Sequence, residues 1–173
     1  MKKQAINTFS NSQLASALNR LGIEFLLLDL IQDEEMPVSP EELITGLSCS
    51  SEARLRLALI PLFLQHSRLA SLVPTVIKKL PRNAQVTLQF YYCAAFYLQQ
   101  KYARRLENIF GEQDALPPLF LEQIGLPLDG DTDANLRALG REQQIISGRL
   151  INWYGTYEHA AQRLLVHQER AAA

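Results

Sequence analysis

The sequence predicts an all-α protein, a single-domain bundle of about five to seven helices. Three observations predict it. Apolar residues recur at steps of three and four over most of the chain, the period of a helix with one buried face. No segment alternates apolar and polar residues for the length of a strand. No repeat of fixed period argues for a solenoid. The 173 residues suit one domain, 1–173, with a core of its own. Within it, 1–11 read as a flexible start, and 33–38 and 111–133 as linkers or loops.

The first helix is expected over 12–32, from the spacing Leu14, Ala17, Leu18, Leu21, Phe25, Leu28, Ile31. Gly22 lies inside it and weakens it by about 1 kcal/mol relative to alanine. A polar, proline-marked linker follows. Ser39-Pro40-Glu41-Glu42 then starts a helix: serine caps, proline fits the first position, and Glu42 reaches back to the cap. Gly46 is the expected stop. Ser48 to Ser51 make the next turn.

Residues 53–67 form a helix that is apolar on every side, as core and interface helices are. Pro61 removes an amide donor, so a kink or break is expected there. Pro74 opens or kinks a short helix ending near Leu80. The best-marked helix is expected over 83–110. Leu88, Tyr92, Ala95, Leu98, Tyr102, Leu106 and Ile109 make one stripe, with Phe90, Cys93 and Tyr97 in a neighbouring row. Gly111 is the natural residue just past its end.

Prolines and glycine bracket a short apolar segment, 119–124. Asp129-Gly-Asp-Thr-Asp133 opens the last region. Leu136, Leu139, Gln143, Ile146, Leu150, Trp153, Tyr157, Ala160 and Leu164 form a near-heptad seam. One long helix or two collinear helices both fit. Gly140, Gly148 and Gly155 interrupt the seam, and Gly148 and Gly155 are expected to admit a second helix at close range.

Composition and motifs narrow the function. Hydrophobic residues are 47% and charged residues 20%, as in a folded globule. The net charge of −1 provides no global field toward nucleic acid or anionic membrane. Cys49 and Cys93 read as reduced thiols of a cytosolic protein, and no Cys or His pair has zinc-ligand spacing. The basic N-terminus lacks the apolar core of a signal peptide. No apolar run approaches the roughly eighteen residues of a spanning helix. The expected place of action is the cytoplasm, away from membranes.

No catalytic, cofactor or metal residues emerge. Asp129, Asp131 and Asp133 resemble a calcium loop, but Ala134 and Gly140 stand where it needs glycine and glutamate; N-terminal capping is the expected role. His66, His159 and His167 lie outside the Arg-x4–6-His pattern of HEPN-class helical ribonucleases. There is no Glu-x-x-His pair, nucleophile motif or glycine-rich phosphate loop. The chain is expected to be non-enzymatic.

Binding is the remaining class. Asn152-Trp-Tyr-Gly-Thr-Tyr-Glu-His159 concentrates aromatics beside a glycine, and Trp and Tyr are enriched at binding hot spots. Trp153 and Tyr157 fall on the seam; Tyr154 and His159 fall off it. The candidate interface residues are Phe90, Tyr97, Gly148, Asn152, Tyr154, Gly155 and His159, for a protein partner or self-association. The alternative is a DNA-binding regulator with a helix-turn-helix-like segment over 40–64, Arg54 and Arg56 facing the groove.

Three strings carry a resemblance: Ala53-Arg-Leu-Arg-Leu-Ala-Leu-Ile-Pro-Leu-Phe-Leu64, Leu126-Pro-Leu-Asp-Gly-Asp131 and Ser147-Gly-Arg-Leu-Ile-Asn-Trp-Tyr-Gly-Thr-Tyr157. From about Ser39 onward the chain resembles a group of uncharacterised cyanobacterial-type small helical proteins associated with nucleotidyltransferase-domain partners. The resemblance implies a helical companion subunit, antitoxin-like, in a pair of toxin–antitoxin type. It implies no catalytic residues.

Overall fold

Serine caps start the first two helices. Ser10 Oγ accepts from the Gln13 amide at 3.1 Å while Gln13 returns its side-chain oxygen to the Ser10 amide at 2.8 Å. Ser39 and Glu42 repeat the exchange at 3.2 and 2.8 Å. Each box satisfies two amides that a helix start leaves without partners.

The structure, a computed structural model, describes residues 9–24 and 37–173. In order these form α1 (Asn11–Arg20), α2 (Pro40–Cys49), α3 (Ala53–Leu57), α4 (Leu59–Gln65), a 3-10 segment (Ser67–Leu72), α5 (Val73–Val76), a second 3-10 segment (Ile77–Lys79), α6 (Arg82–Lys101), α7 (Ala103–Phe110), α8 (Leu121–Ile124), α9 (Thr132–Ser147) and α10 (Trp153–Ala171). The fold is all-α, with no strand among the described residues.

Several expected boundaries move. The helix predicted over 12–32 ends at Arg20, because Gly22 adopts φ +78° and turns the chain. Residues 25–32 of that prediction lie outside the described residues, as do 1–8 and 33–36. Gly46 does not stop α2. A Cβ there would lie 2.5 Å from Leu14 Cδ2, so this glycine admits α1 against α2. The break in 53–67 falls at Ala58, not Pro61. Pro61 has no amide for the Leu57 carbonyl, and its ring excludes that carbonyl, so the disruption appears one turn upstream.

The helix predicted over 83–110 is two helices, parted at Tyr102 (φ −106°, ψ 20°). Gly111 ends the second at φ +76°, as expected. α6 is the centre of the molecule. All residues from 90 to 98 are buried, because α2, α4, α9 and α10 pack around it. Phe90 and Tyr97, expected at an interface, are core residues, 1% and 0% exposed. Buried phenols need acceptors. Tyr92 donates to the Pro117 carbonyl at 2.8 Å and Tyr97 to the Pro127 carbonyl at 2.6 Å, tying to α6 the segment 111–131, which is not all loop as expected but carries α8.

α9 and α10 are separate and not collinear. Gly148, at φ +66°, ends α9, and α10 crosses α9 at Gly140. Among the described residues no single helix is long and apolar enough to cross a membrane.

Candidate functional site

The α9–α10 connection is a small apolar knuckle. Leu150 is 91% exposed, Ile145 73%, Ile146 56% and Ile151 39%. The turn is closed by polar contacts of its own. Ser147 Oγ accepts from the Arg149 amide at 3.2 Å. The Ile151 amide donates to the Arg149 carbonyl at 3.0 Å and the Trp153 amide to the Ile151 carbonyl at 2.8 Å. Asn152 Oδ1 then caps α10 by accepting from the Gly155 amide at 2.9 Å. Ile146 and Leu150, predicted on the buried seam, therefore face outward: α9 has turned its last buried residue, Gln143, inward well before them. Ile146 also borders a recess of about 370 Å³, lined by Val86, Phe90 and Ile124 together with polar side chains such as Arg82, Gln89 and Glu142.

Beyond the knuckle, α10 is fastened by a polar network. Lys101 Nζ lies 2.5 Å from both Asp133 Oδ1 and Glu158 Oε1. Tyr102 donates to the second Glu158 oxygen and accepts from Gln162 Nε2. Arg105 clasps Glu169 through two bonds, at 2.8 and 2.9 Å. Hydrogen bonds from Lys101 and Tyr154 hold the Asp133 carboxyl below its ordinary pKa. Burial disfavours charge on Lys101, but its two carboxylate partners outweigh this and raise its pKa. These contacts are structural: they join the α6–α7 break to α9 and α10.

Tyr154 is not at an accessible edge. Its hydroxyl donates to Asp133 at 2.9 Å, and the Arg137 guanidinium covers its ring at 4.0 Å. Gly155 admits no second helix; a Cβ there would lie 2.6 Å from Asn152 Nδ2, so the glycine serves the cap. Gly148 has open space around its Cβ position. The glycine that permits helix crossing is Gly140. Asn152 is exposed, but its side-chain oxygen is committed to the cap.

His159 is exposed and borders a groove of about 110 Å³ between α10, the α3–α4 pair and Ile23–Glu24. Leu57, Ala58, Pro61, Ala160, Leu164 and Ile23 make its apolar floor. Arg54, His159, Arg163, His167 and Glu24 make the rim. His167 Nδ1 is 2.9 Å from Glu24 Oε2.

The other candidates resolve simply. Asp131 caps α9, accepting from the Asp133 and Ala134 amides at 2.8 and 3.1 Å. Among the described residues no cluster of three or more His, Cys, Asp or Glu has the arrangement of a metal site. Arg56 donates to the carbonyls of Ser50 and Ser51, both at 2.8 Å, and α3 is only five residues long. The knuckle has a sequence signal: the doublets Ile145-Ile146 and Leu150-Ile151 flank a helix-ending glycine. The groove has none, since its walls are far apart in sequence.

No protein-family model matches this chain, and no curated protein or solved structure shows significant similarity to it.

Proposed function

We propose that the chain is a non-enzymatic helical interaction subunit that docks a protein partner on the α9–α10 knuckle. One observation carries the reading: four large aliphatic side chains are exposed within residues 145–151. Isolated exposed leucines are ordinary, whereas a contiguous apolar patch marks a binding surface. The cap and turn hydrogen bonds hold this patch in place without a partner, which limits the ordering cost of docking. Burying Leu150 alone would contribute roughly 1.5–3 kcal/mol, about ten- to a hundredfold in affinity. The adjacent recess offers a partner side chain a place to enter.

The resemblance noted from the sequence suggests the partner: a nucleotidyltransferase-domain protein encoded beside this one, with this chain as the antitoxin-like companion. Co-expression and pull-down with intact-mass analysis tests this. A complex is expected with the wild-type chain, weakened at least tenfold by Leu150→Asp. A monomer in sedimentation with no complex, or undiminished binding by Leu150→Asp, would overturn the reading. A salt-dependent, sequence-selective gel shift by the isolated chain would replace it with a DNA-binding regulator.

A further inference from the structure

We infer that the groove between α10 and the α3–α4 pair is a binding site for a small amphipathic carboxylate, of the short-chain fatty-acid class. The site shares no residue with the knuckle and does not depend on the interaction reading.

The floor sets the first requirement. Ile23, Ala58, Ala160 and Leu164 are buried beneath the groove, and Leu57 and Pro61 form half-buried walls. A surface of this kind gains by covering with hydrocarbon. Size sets the second. A cavity of roughly 150 Å³ holds a benzene ring; the 110 Å³ here suits a shorter aliphatic stretch.

The rim sets the charge. Arg163 brings an exposed guanidinium group and Arg54 stands on the same rim; the rim carboxylate among the described residues, Glu24, faces His167 at 2.9 Å. Arg163 and the neighbouring His159 are exposed and have no ion-pair partner among the described residues. Both lie on α10, four residues apart, so they stand on one helix face above the floor. A planar carboxylate matches a guanidinium through two parallel hydrogen bonds. An ammonium head would meet the like charge of Arg163, and an alcohol would leave that guanidinium without a counter-charge. The polar end therefore rests at Arg163 and His159, and the chain runs over Ala160 and Leu164.

Titration calorimetry of the full chain with butyrate, hexanoate and octanoate tests this, with hexylamine and hexanol as controls. Carboxylates should bind, tightening about fourfold per methylene until the floor is covered. Arg163→Gln, a surface change, should weaken hexanoate at least tenfold. Ala160→Leu, which fills the floor, should abolish binding; a thermal melt reports whether that variant folds, and Arg163→Gln decides the matter if it does not. The proposal is overturned by the absence of heat with every carboxylate, as an already occupied groove would produce. It is equally overturned by equal affinity for hexylamine or hexanol, or by wild-type affinity in Arg163→Gln.

Discussion

Gly140 lies directly beneath Trp153: a Cβ on residue 140 would stand 3.2 Å from the Trp153 Cβ and 3.3 Å from the Tyr154 amide nitrogen. The crossing of α9 and α10 depends on this missing atom. In an exposed helix interior, Gly→Ala stabilises by about 1 kcal/mol. Here the obstruction includes backbone, which yields poorly, so Gly140→Ala should lower stability instead. Gly140→Leu should cost roughly 1–3 kcal/mol or more by overpacking. Chemical denaturation of the two variants checks the sign. Stabilisation by alanine would mean that the helices do not meet at this point.

Gly155 gives a contrasting case. The atoms nearest its Cβ position belong to the side chain of Asn152, the cap of its own helix. Gly155→Ala should displace that cap and cost about 0.5–2 kcal/mol, the usual range for cap loss. Asn152→Ala should cost a similar amount, and the double variant little more than either alone. Additive losses in urea melts would show two independent roles.

The Lys101 cluster makes a pH prediction. The folded pKa of Asp133 is depressed by the hydrogen bonds from Lys101 and Tyr154. Its contribution is therefore present above the unfolded value, about 3.9, and is lost as pH falls through the lower folded value. The Lys101 pKa is raised. Its contribution is complete below the unfolded value, about 10.4, and is lost as pH rises through the higher folded value. Lys101→Met should destabilise the chain by about 1 kcal/mol at neutral pH, because Asp133 and Glu158 lose their shared cation and keep only the hydrogen bonds from Tyr154 and Tyr102. It should also move the Asp133 titration upward, as carboxyl carbon NMR would show. An unmoved Asp133 titration would refute the pairing.

Tyr157 and Gln143 are joined by a buried hydrogen bond between phenol and amide oxygen. Tyr157→Phe should cost about 1–3 kcal/mol, because the Gln143 oxygen is left without a donor. Adding Gln143→Leu should recover part of that loss. A double-mutant cycle with no coupling would refute the contact.

At the knuckle, stability and binding should separate. Leu150→Asp removes almost no packing, so its unfolding free energy should stay within about 0.5 kcal/mol of wild type. Its affinity for the protein partner should fall at least tenfold. A large drop in stability would show Leu150 to be packed rather than presented.

Features closed within a single turn were legible in the linear chain. The Ser39–Glu42 box, the Asp131 cap and the stop at Gly111 need only neighbours along the chain, so residue type and spacing suffice. The helical class followed as well, since a period of three to four residues persists through most of the sequence.

Periodicity marks an apolar face but does not say what covers it. Gly22 and Gly46 both stand in helical runs, yet one turns the chain and the other admits Leu14; the difference lies in backbone conformation and in what stands opposite. Phe90 and Tyr97 are enclosed because four helices surround α6, whereas Ile146 and Leu150, on an equally regular seam, are bared by the change of direction at Gly148. The groove joins Ala58 to Ala160 across a hundred residues of sequence. Burial is a property of the assembled packing, so the same local pattern becomes core in one place and binding surface in another.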